Sequence, residues 1–202
     1  MTSRGPGRPR DPDADVAILK AALELFIERG VDGTSLEQIA KRAGVAKLTI
    51  YRRWSSKEEL LVAAIESTVQ DITYPSTEEA QTLPLTELIE RALPAAVETV
   101  TDPTYPAMIA QTLGSAVRYP ELMATYWQRH ILPRRRIVRT MLERAIQEGK
   151  IPQDTDIDVL IDMLVGAIMY RVLQPQPLDP TEARRYLEAV YRHAGLLPRD
   201  DG

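Results

Sequence analysis

The sequence predicts an all-α protein, made of a small N-terminal helical head and a larger helical body. Apolar residues recur at the three-to-four-residue spacing of amphipathic helices along most of the 202 residues. No run alternates apolar and polar residues as a half-buried strand does. Helix-starting Ser, Thr and Asp residues and helix-ending glycines divide the chain into segments of helical length.

The first predicted helix begins near Asp13, after an N-terminal arm rich in Gly, Pro and Arg. It is expected to end at Gly30, because glycine best adopts the left-handed conformation of a C-terminal cap. The helical periodicity predicts that one apolar stripe is buried, formed by Val16, Leu19, Leu23, Phe26 and Ile27.

Three further helices follow closely. Thr34 and Glu37 have the spacing of a capping box, which predicts that Thr34 caps a short helix ending at Gly44. The next helical segment is predicted over 47–54, directly after a very short turn. Ser56 opens a second capping box and a longer helix. The buried positions of that helix are predicted at Leu60, Leu61, Ala64, Ile65 and Val69.

The body is expected to begin after a polar, proline-containing break over 72–84. Further helices are predicted over 85–100, up to about Tyr119, over 121–148, over 156–173 and over 181–195. Pro133 is expected to bend the third of these, and Asp179 with Pro180 to open the last. The predicted divisions are an arm over 1–12, a head over 13–71 and a body over 72–202.

The second and third helices of the head, joined by a tight turn at Gly44, have the organisation of a helix-turn-helix. In that motif the second helix lies in the DNA major groove. Several residues on or beside this helix carry groups suited to phosphates or base edges. These candidate DNA-binding residues are Lys47, Thr49, Tyr51, Arg52, Arg53 and Lys57.

The distribution of charge supports a nucleic-acid partner, although the net charge of the chain is −4. Residues 1–57 carry eleven basic and seven acidic residues, whereas 58–202 carry fourteen and twenty-two. Residues 38–57 contain six basic residues and no acidic one. Local positive charge favours a phosphate backbone through counterion release. A solvated basic helix face is the alternative interpretation of the charge alone.

Residues from about 16 to 65 resemble the TetR (tetracycline-repressor-like) family of bacterial regulators. The resemblance is carried by Phe26, Gly30, Thr34, Ile39, Ala40, Ala43, Gly44, Val45, Ile50, Tyr51, Trp54, Ser56, Lys57, Glu58, Leu60 and Leu61. The sequence departs from the family pattern at Ala46, where a Ser cap is usual, and at Trp54, where Phe is commoner. The resemblance implies a homodimer, a two-fold symmetric double-stranded DNA site and an effector pocket in the body.

The N-terminal arm contains Arg8 and Arg10 around Pro9, in an arrangement similar to an AT-hook core. An extended Arg-Pro-Arg segment suits a narrow minor groove of negative potential. The alternative is a disordered tail with incidental arginines.

The helix predicted over 156–173 is apolar around much of its circumference, more than one core-facing stripe requires. Together with the last helix it is expected to form half of a four-helix bundle across a two-fold axis. The candidate interface residues are Val159, Leu160, Leu164, Ala167, Ile168, Leu187, Val190 and Tyr191. An ordinary buried helix within one subunit is the alternative.

Aromatic and methionine side chains near a few polar groups suggest where a mainly apolar small molecule would bind. The candidate ligand-binding residues are Tyr105, Met108, Gln111, Leu122, Tyr126, Trp127, His130 and Met163. Tyr126, His130 and Arg134 are spaced to share one helix face. Each of these positions also has an alternative interpretation as an ordinary core or surface residue.

The sequence argues against several other classes of protein. It contains no cysteine, and its two histidines are far apart, so no disulfide, metal site or cofactor is expected. No histidine beside a carboxylate pair and no glycine-rich phosphate loop indicates an enzyme. No apolar run is long enough to cross a membrane, and a cytoplasmic protein is expected.

The function predicted from these observations is that of a sequence-specific transcriptional regulator, a repressor released from DNA by a small molecule. An activator and a ligand-independent DNA-binding regulator are alternatives within the same class. A helical small-molecule carrier is an alternative from another class, but it would not need the basic segment 38–57.

Overall fold

A computed structural model describes residues 12–69 and 74–198, and all regular elements within them are helical. This confirms the all-α prediction. The helices are α1 Pro12–Arg29, α2 Leu36–Ala43, α3 Lys47–Tyr51, α4 Lys57–Ser67, α5 Thr77–Thr82, α6 Leu85–Thr101, α7 Tyr105–Ser115, α8 Pro120–Tyr126, α9 Leu132–Gln147, α10 Ile157–Val172 and α11 Pro180–His193. The chain divides into two compact units, 1–64 and 65–202.

The core of the first unit is built on Phe26 of α1, which is fully buried. Ile18, Ala21, Ala22 and Leu25 are buried with it on α1, and the other helices contribute Ile39, Ile50, Leu60 and Leu61. The predicted stripe was therefore partly wrong, because Val16 is 66% exposed. The segment is apolar on several faces, so its periodicity alone did not select the buried one.

The cap of α2 lies one residue later than predicted. Ser35, and not Thr34, is the N-cap: its hydroxyl accepts from the Gln38 N–H, and Gln38 accepts in return from the Ser35 N–H. Thr34 is buried and donates its hydroxyl to the Gly30 carbonyl at 2.7 Å. Both overlapping residue pairs fit the capping-box pattern, and the Gly30 carbonyl determines which pair is used.

The second unit has two apolar clusters. One joins α5, α6, α9 and α10 around Leu85, Leu142 and Ile161, and the other joins α6, α10 and α11 around Leu93 and Leu187. The short helix α5 was not predicted, although Ser76 and Glu79 form a capping box at its start. Arg144 fixes its end by donating to the Ala80 and Leu83 carbonyls at 2.7 and 2.8 Å.

Between α8 and α9 the helix continues through a π turn, Trp127–Ile131. Leu132 donates its N–H to the Trp127 carbonyl, five residues back instead of four. Pro133 has no N–H for the Arg129 carbonyl, and its ring would clash with that carbonyl in a regular helix. The wider turn removes this conflict, so the irregularity expected near Pro133 takes the form of a π turn.

Gly195 offers a test of how tightly the end of α11 packs. Both Gly149 and Gly195 have φ of 72°, which costs a residue with a Cβ about 1–2 kcal/mol. A Cβ on Gly149 would meet nothing within 4 Å, whereas a Cβ on Gly195 would lie 2.7 Å from Ile151 Cγ1 and 2.9 Å from the Lys150 carbonyl.

We therefore expect Gly195→Ala to lower the free energy of unfolding by about 1 kcal/mol or more beyond the effect of Gly149→Ala, because the added clash must be relieved. Urea unfolding of both variants at one protein concentration measures the difference. Equal losses would contradict the close packing of Gly195 against Ile151.

Candidate functional sites: the α3 surface and an aromatic cluster

The turn between α2 and α3 has the geometry of a helix-turn-helix. Gly44 has φ of 68°, the left-handed conformation that favours glycine, and Val45 donates its N–H to the Ala40 carbonyl at 3.0 Å. Ala46 is the N-cap of α3 and makes no side-chain hydrogen bond there, as its residue type predicts. The N–H of Thr49 is bonded to the Ala46 carbonyl at 2.8 Å.

Helix α3 has one buried and one exposed face. Ile50 is fully buried and anchors the helix in the core of the unit. Leu48 and Tyr51 are 58% and 52% exposed, and Arg52 is exposed beside them. This surface, formed by Lys47, Leu48, Tyr51 and Arg52, is called the α3 surface below.

Most of the cations in segment 38–57 already have partners within the first unit. Arg42 makes two hydrogen bonds to Glu28, at 2.7 and 2.9 Å, and Lys47 pairs with Glu37. The other two cations each contact a residue that is distant in sequence. Arg53 pairs with Asp15 and donates to the Thr49 carbonyl at 3.1 Å, and Lys57 donates to the Val31 carbonyl at 2.8 Å.

Arg52 and Lys41 differ from these four, since neither side chain makes an ion pair or a hydrogen bond with a described residue. The Arg53 side chain is only 11% exposed, and the Lys57 ammonium is held beside α1. These positions favour structural roles for Arg53 and Lys57, and their contact with DNA stays a prediction. Leu48 was missed by the sequence analysis, and its signal was its place among the outward residues of the second helix. Arg8 and Arg10 lie outside the described residues.

The Lys47–Glu37 pair provides a test of the electrostatics. The Lys47 ammonium, through its hydrogen bond and its charge, holds the pKa of Glu37 below its usual value. Glu37 therefore remains ionised at neutral pH and competes with phosphates for Lys47. We expect Glu37→Gln to tighten DNA binding several-fold and to steepen its salt dependence by about one released counterion per subunit.

Filter binding at several salt concentrations measures both quantities. Glu87→Gln is the matched control, because Glu87 forms a comparable exposed ion pair with Arg91 in the second unit. Unchanged affinity and slope in Glu37→Gln would show that Lys47 does not meet DNA.

The predicted interface residues fall into two groups in the structure. Leu164 and Leu187 are buried core residues, and Leu160, Ile168, Val190 and Tyr191 pack against the two apolar clusters of the same chain. The Ala167 carbonyl accepts from the Tyr186 hydroxyl at 3.0 Å. Only Val159, 53% exposed, is available on the outer surface. The helix is apolar on opposite faces, so the sequence did not separate the core face from the outer one.

The second unit contains a group of aromatic and charged residues, here called the aromatic cluster: Tyr74, Tyr105, Tyr126, His130 and Arg134. The Arg134 guanidinium lies over the Tyr74 ring, 4.9 Å from its centre, and the Tyr126 and His130 rings are 5.9 Å apart. Burial raises the pKa of Tyr105 to about 12, with smaller contributions from Tyr126 and Tyr74. The phenols therefore stay protonated at neutral pH.

His130 is buried and its Nδ1 faces the carboxylate of Glu66. Burial lowers the pKa of His130, the Glu66 carboxylate opposes that effect, and the cations Arg134 and Arg129 add to it. The imidazole is thus held mainly neutral at neutral pH. Because Glu66 lies near the end of α4, this contact joins that helix to the π turn within the second unit.

The structure brings together only part of the predicted ligand-binding set. Met108 and Leu122 are buried, and Gln111 is half-buried on α7. Trp127 is 43% exposed, and Met163 is 64% exposed on the outer face of α10. Met163 was included because methionine suits a pocket, but its position on the helix is that of a surface residue.

A cleft of about 510 Å³ lies elsewhere in the second unit, between the end of α11 and residues 150–155. None of the predicted ligand-binding residues lines it. Over residues 12–69 and 74–198, no group of three His, Asp or Glu side chains is arranged to hold a metal ion. Within the same ranges no helix has the length and apolarity needed to cross a membrane.

A second helix that follows a glycine turn and exposes one face has the geometry of a helix-turn-helix, the motif that one class of DNA-binding proteins places in the major groove. Comparison with known families identifies the particular group. Residues 18–64 match the description "Bacterial regulatory proteins, tetR family", and residues 82–190 match "Tetracyclin repressor-like, C-terminal domain". The chain belongs to the TetR family of bacterial transcriptional regulators, a family of regulators and not of enzymes.

Individual relatives agree with this assignment. The chain is 35% identical over 170 residues to the uncharacterized HTH-type transcriptional regulator YdeS of Bacillus subtilis, covering 83% of this chain and 82% of YdeS. It is 28% identical over 198 residues to the DNA-binding transcriptional repressor TetR of Mycobacteroides abscessus, covering 94% and 95%. The fold matches the fatty acid degradation regulator FadR of Bacillus halodurans with a TM-score of 0.68 at 17% identity, covering 93% and 97%.

Proposed function

We propose that this regulator is a homodimeric repressor, which binds a two-fold symmetric operator through the α3 surface and is released by a small molecule. The observation that carries the proposal is the exposure of Leu48, Tyr51 and Arg52 on a helix fixed by buried Ile50. Apolar side chains left in solvent on a short, well-anchored helix are suited to contact thymine methyl groups.

Arg52 is the residue best suited to read a base or to fix the register on phosphate. It is exposed, makes no ion pair with a described residue and carries a planar fork of N–H donors. Tyr51 lies beside it, and the Lys47 ammonium is 5.7 Å from the centre of the Tyr51 ring. In this proposal Arg53 and Lys57 hold the helix in position through Asp15 and Val31.

For the dimer, we infer an interface on the outer face of α10, which keeps Val159 from the residues predicted from sequence and replaces the others. Val159, Met163, Gly166, Tyr170 and Leu173 recur at spacings of four, three, four and three, and all are exposed. On a helix these positions form one stripe, opposite the buried residues Ile161 and Leu164. An exposed apolar stripe of this length is typical of a protein–protein contact.

Gly166 lies at the centre of this stripe and supports the same inference. A Cβ at this position would meet nothing within 4 Å in the chain itself, so the fold of one subunit does not require glycine there. Glycine within a helix costs about 1 kcal/mol relative to alanine. The close approach of a partner helix would account for it.

Release by a ligand requires that the ligand binds the DNA-incompetent state more tightly than the competent one. The direction of regulation is supported by the M. abscessus relative, which is described as a repressor. An activator is the alternative, and nothing in the chain favours it.

A reporter gene tests the repressor proposal. A selected operator is placed across the start site of a promoter, and expression is compared with and without the protein. Repression that is lost in Arg52→Ala and kept in Arg136→Ala, a change of the same charge at an exposed residue of α9, is the expected result. Increased expression would identify an activator.

A further inference from the structure

The Arg134 guanidinium lies within the aromatic cluster without an anionic partner among the described residues. Its contact there is with the face of the Tyr74 ring at 4.9 Å. The nearby carboxylate of Glu66 is directed instead at Nδ1 of His130. This arrangement differs from that of the neighbouring Arg135, which pairs with Asp162 at 2.6 Å and Asp158 at 3.0 Å.

The contact with Tyr74 occupies the face of the guanidinium and not its edge. The five N–H donors of arginine lie in the plane of the group, so stacking on a ring leaves them available. No described residue accepts a hydrogen bond from the Arg134 guanidinium. A carboxylate is the group that matches two parallel N–H donors with two oxygens.

The surroundings of Arg134 favour an anion over a neutral or a cationic molecule at this cluster. The half-buried Tyr105 and Tyr126, the buried His130 and the more exposed Tyr74 lie near it, and each pKa shift in this group has burial as its largest cause. A neutral, apolar molecule that covers this cluster would remove the water bound to the guanidinium without replacing its hydrogen bonds, which costs free energy. A cationic ligand would also be repelled by Arg134.

We propose that the aromatic cluster is the effector site, and that its ligand is a small carboxylic acid with an apolar or aromatic body. The carboxylate pairs with the edge of the Arg134 guanidinium, and the apolar body packs against the tyrosine rings of the cluster. This inference rests on the proposed ligand-released function and narrows its ligand from mainly apolar to apolar and anionic.

The contact between His130 and Glu66 joins the aromatic cluster to α4. Glu66 belongs to α4. The earlier residues Leu60, Leu61 and Ala64 of that helix are buried and belong to the first unit. The positive charge of Arg134 lowers the pKa of His130. An anion bound beside Arg134 would offset that charge, raise the pKa of His130 and favour the protonated imidazole next to Glu66. A change at that pair is placed to act on α4.

Calorimetric titration of the full chain tests the inference without DNA. The probes are benzoate, phenylacetate and decanoate, each compared with its own primary amide, which has nearly the same shape and no charge. We expect at least one acid to bind with a Kd below about 1 mM and at least about tenfold more tightly than its amide.

Arg134→Gln should remove this preference, whereas Arg136→Gln, a matched change on the exposed side of α9, should keep it. Thermal unfolding of Arg134→Gln confirms that the variant is folded, and the comparison of acid with amide on the unchanged chain does not depend on it. Equal binding of acids and amides, or no binding of any acid, would overturn the inference.

The outcome is separable from that of the proposed function. Acid-selective binding by a chain that fails to repress would retain the site and reject the repressor. Repression by a chain that binds none of the acids would retain the repressor and reject the carboxylate site.

Discussion

Arg52→Ala is expected to abolish specific operator binding while the protein stays folded and dimeric. One bidentate contact between arginine and a base contributes about 1–3 kcal/mol, and a dimer makes the contact twice. The combined loss of about 2–6 kcal/mol corresponds to a fall in affinity of about 30-fold or more. Arg52 is exposed and makes no ion pair with a described residue, so its removal leaves no buried partner behind.

Gel-shift titration on a selected operator and on an unrelated duplex measures this effect. Tyr51→Ala should act in the same direction, because its ring is 52% exposed on the same surface. Arg136→Ala is the control for the loss of one positive charge. If Arg52→Ala lowered binding to both duplexes equally, Arg52 would be a phosphate contact, and unchanged binding would remove it from the α3 surface.

Met163→Glu is expected to convert the proposed dimer into monomers. Met163 is 64% exposed in the single chain, so a glutamate there is tolerated by the fold of one subunit. Within an apolar seam between two helices, the same change would bury an unpaired charge on each side of the two-fold axis. That burial costs several kcal/mol unless the charge remains in water.

Sedimentation velocity at micromolar concentration measures the change of state. Leu113→Glu is the matched control, since Leu113 is 45% exposed on α7 and lies outside the proposed stripe. Leu164→Glu does not test the interface, because Leu164 is a core residue and its replacement would unfold the chain. A dimer that survives Met163→Glu would move the interface away from the outer face of α10.

Features encoded by neighbouring residues were the most predictable part of the fold. Asp179 caps α11 as predicted, with Glu182 completing the capping box, and Ala46 leaves α3 without a side-chain cap. Such caps depend on residues three positions apart, which one sequence displays directly. The choice between Thr34 and Ser35 failed because two capping-box patterns overlap there, and the hydrogen bond of Thr34 to the Gly30 carbonyl, which settles the choice, is not visible in the residue types.

Long-range side-chain partners were not predictable. The contact of Arg53 with Asp15 joins residues 38 positions apart, and that of Lys57 with Val31 joins residues 26 apart. The sequence therefore overstated how many cations of segment 38–57 are free to contact DNA, because it does not show which of them already have partners within the chain. Of the six, the structure leaves the side chains of Arg52 and Lys41 with neither an ion pair nor a hydrogen bond to a described residue.

The apolar faces of helices showed the same limit. On α1 and α10 the apolar residues extend around most of the circumference, and the periodicity does not state which side faces the core. In α10 the exposure of the side chains settles the question. Leu164 is buried in the core, whereas Met163, its neighbour in sequence, is 64% exposed. The aromatic cluster was partly anticipated through Tyr126, His130 and Arg134, but Tyr74 and Glu66 come from distant segments and were missed.

Selection of binding sites from a random duplex pool, read at two salt concentrations, shows whether the α3 surface reads a specific DNA sequence. We expect a two-fold symmetric consensus, with affinity that falls steeply as salt rises and with half-sites one helical turn or a multiple of it apart. Loss of the consensus in Arg52→Ala, with binding retained in Arg136→Ala, would assign it to the α3 surface. Recovery of no preferred sequence by the unchanged protein would rule out sequence-specific binding.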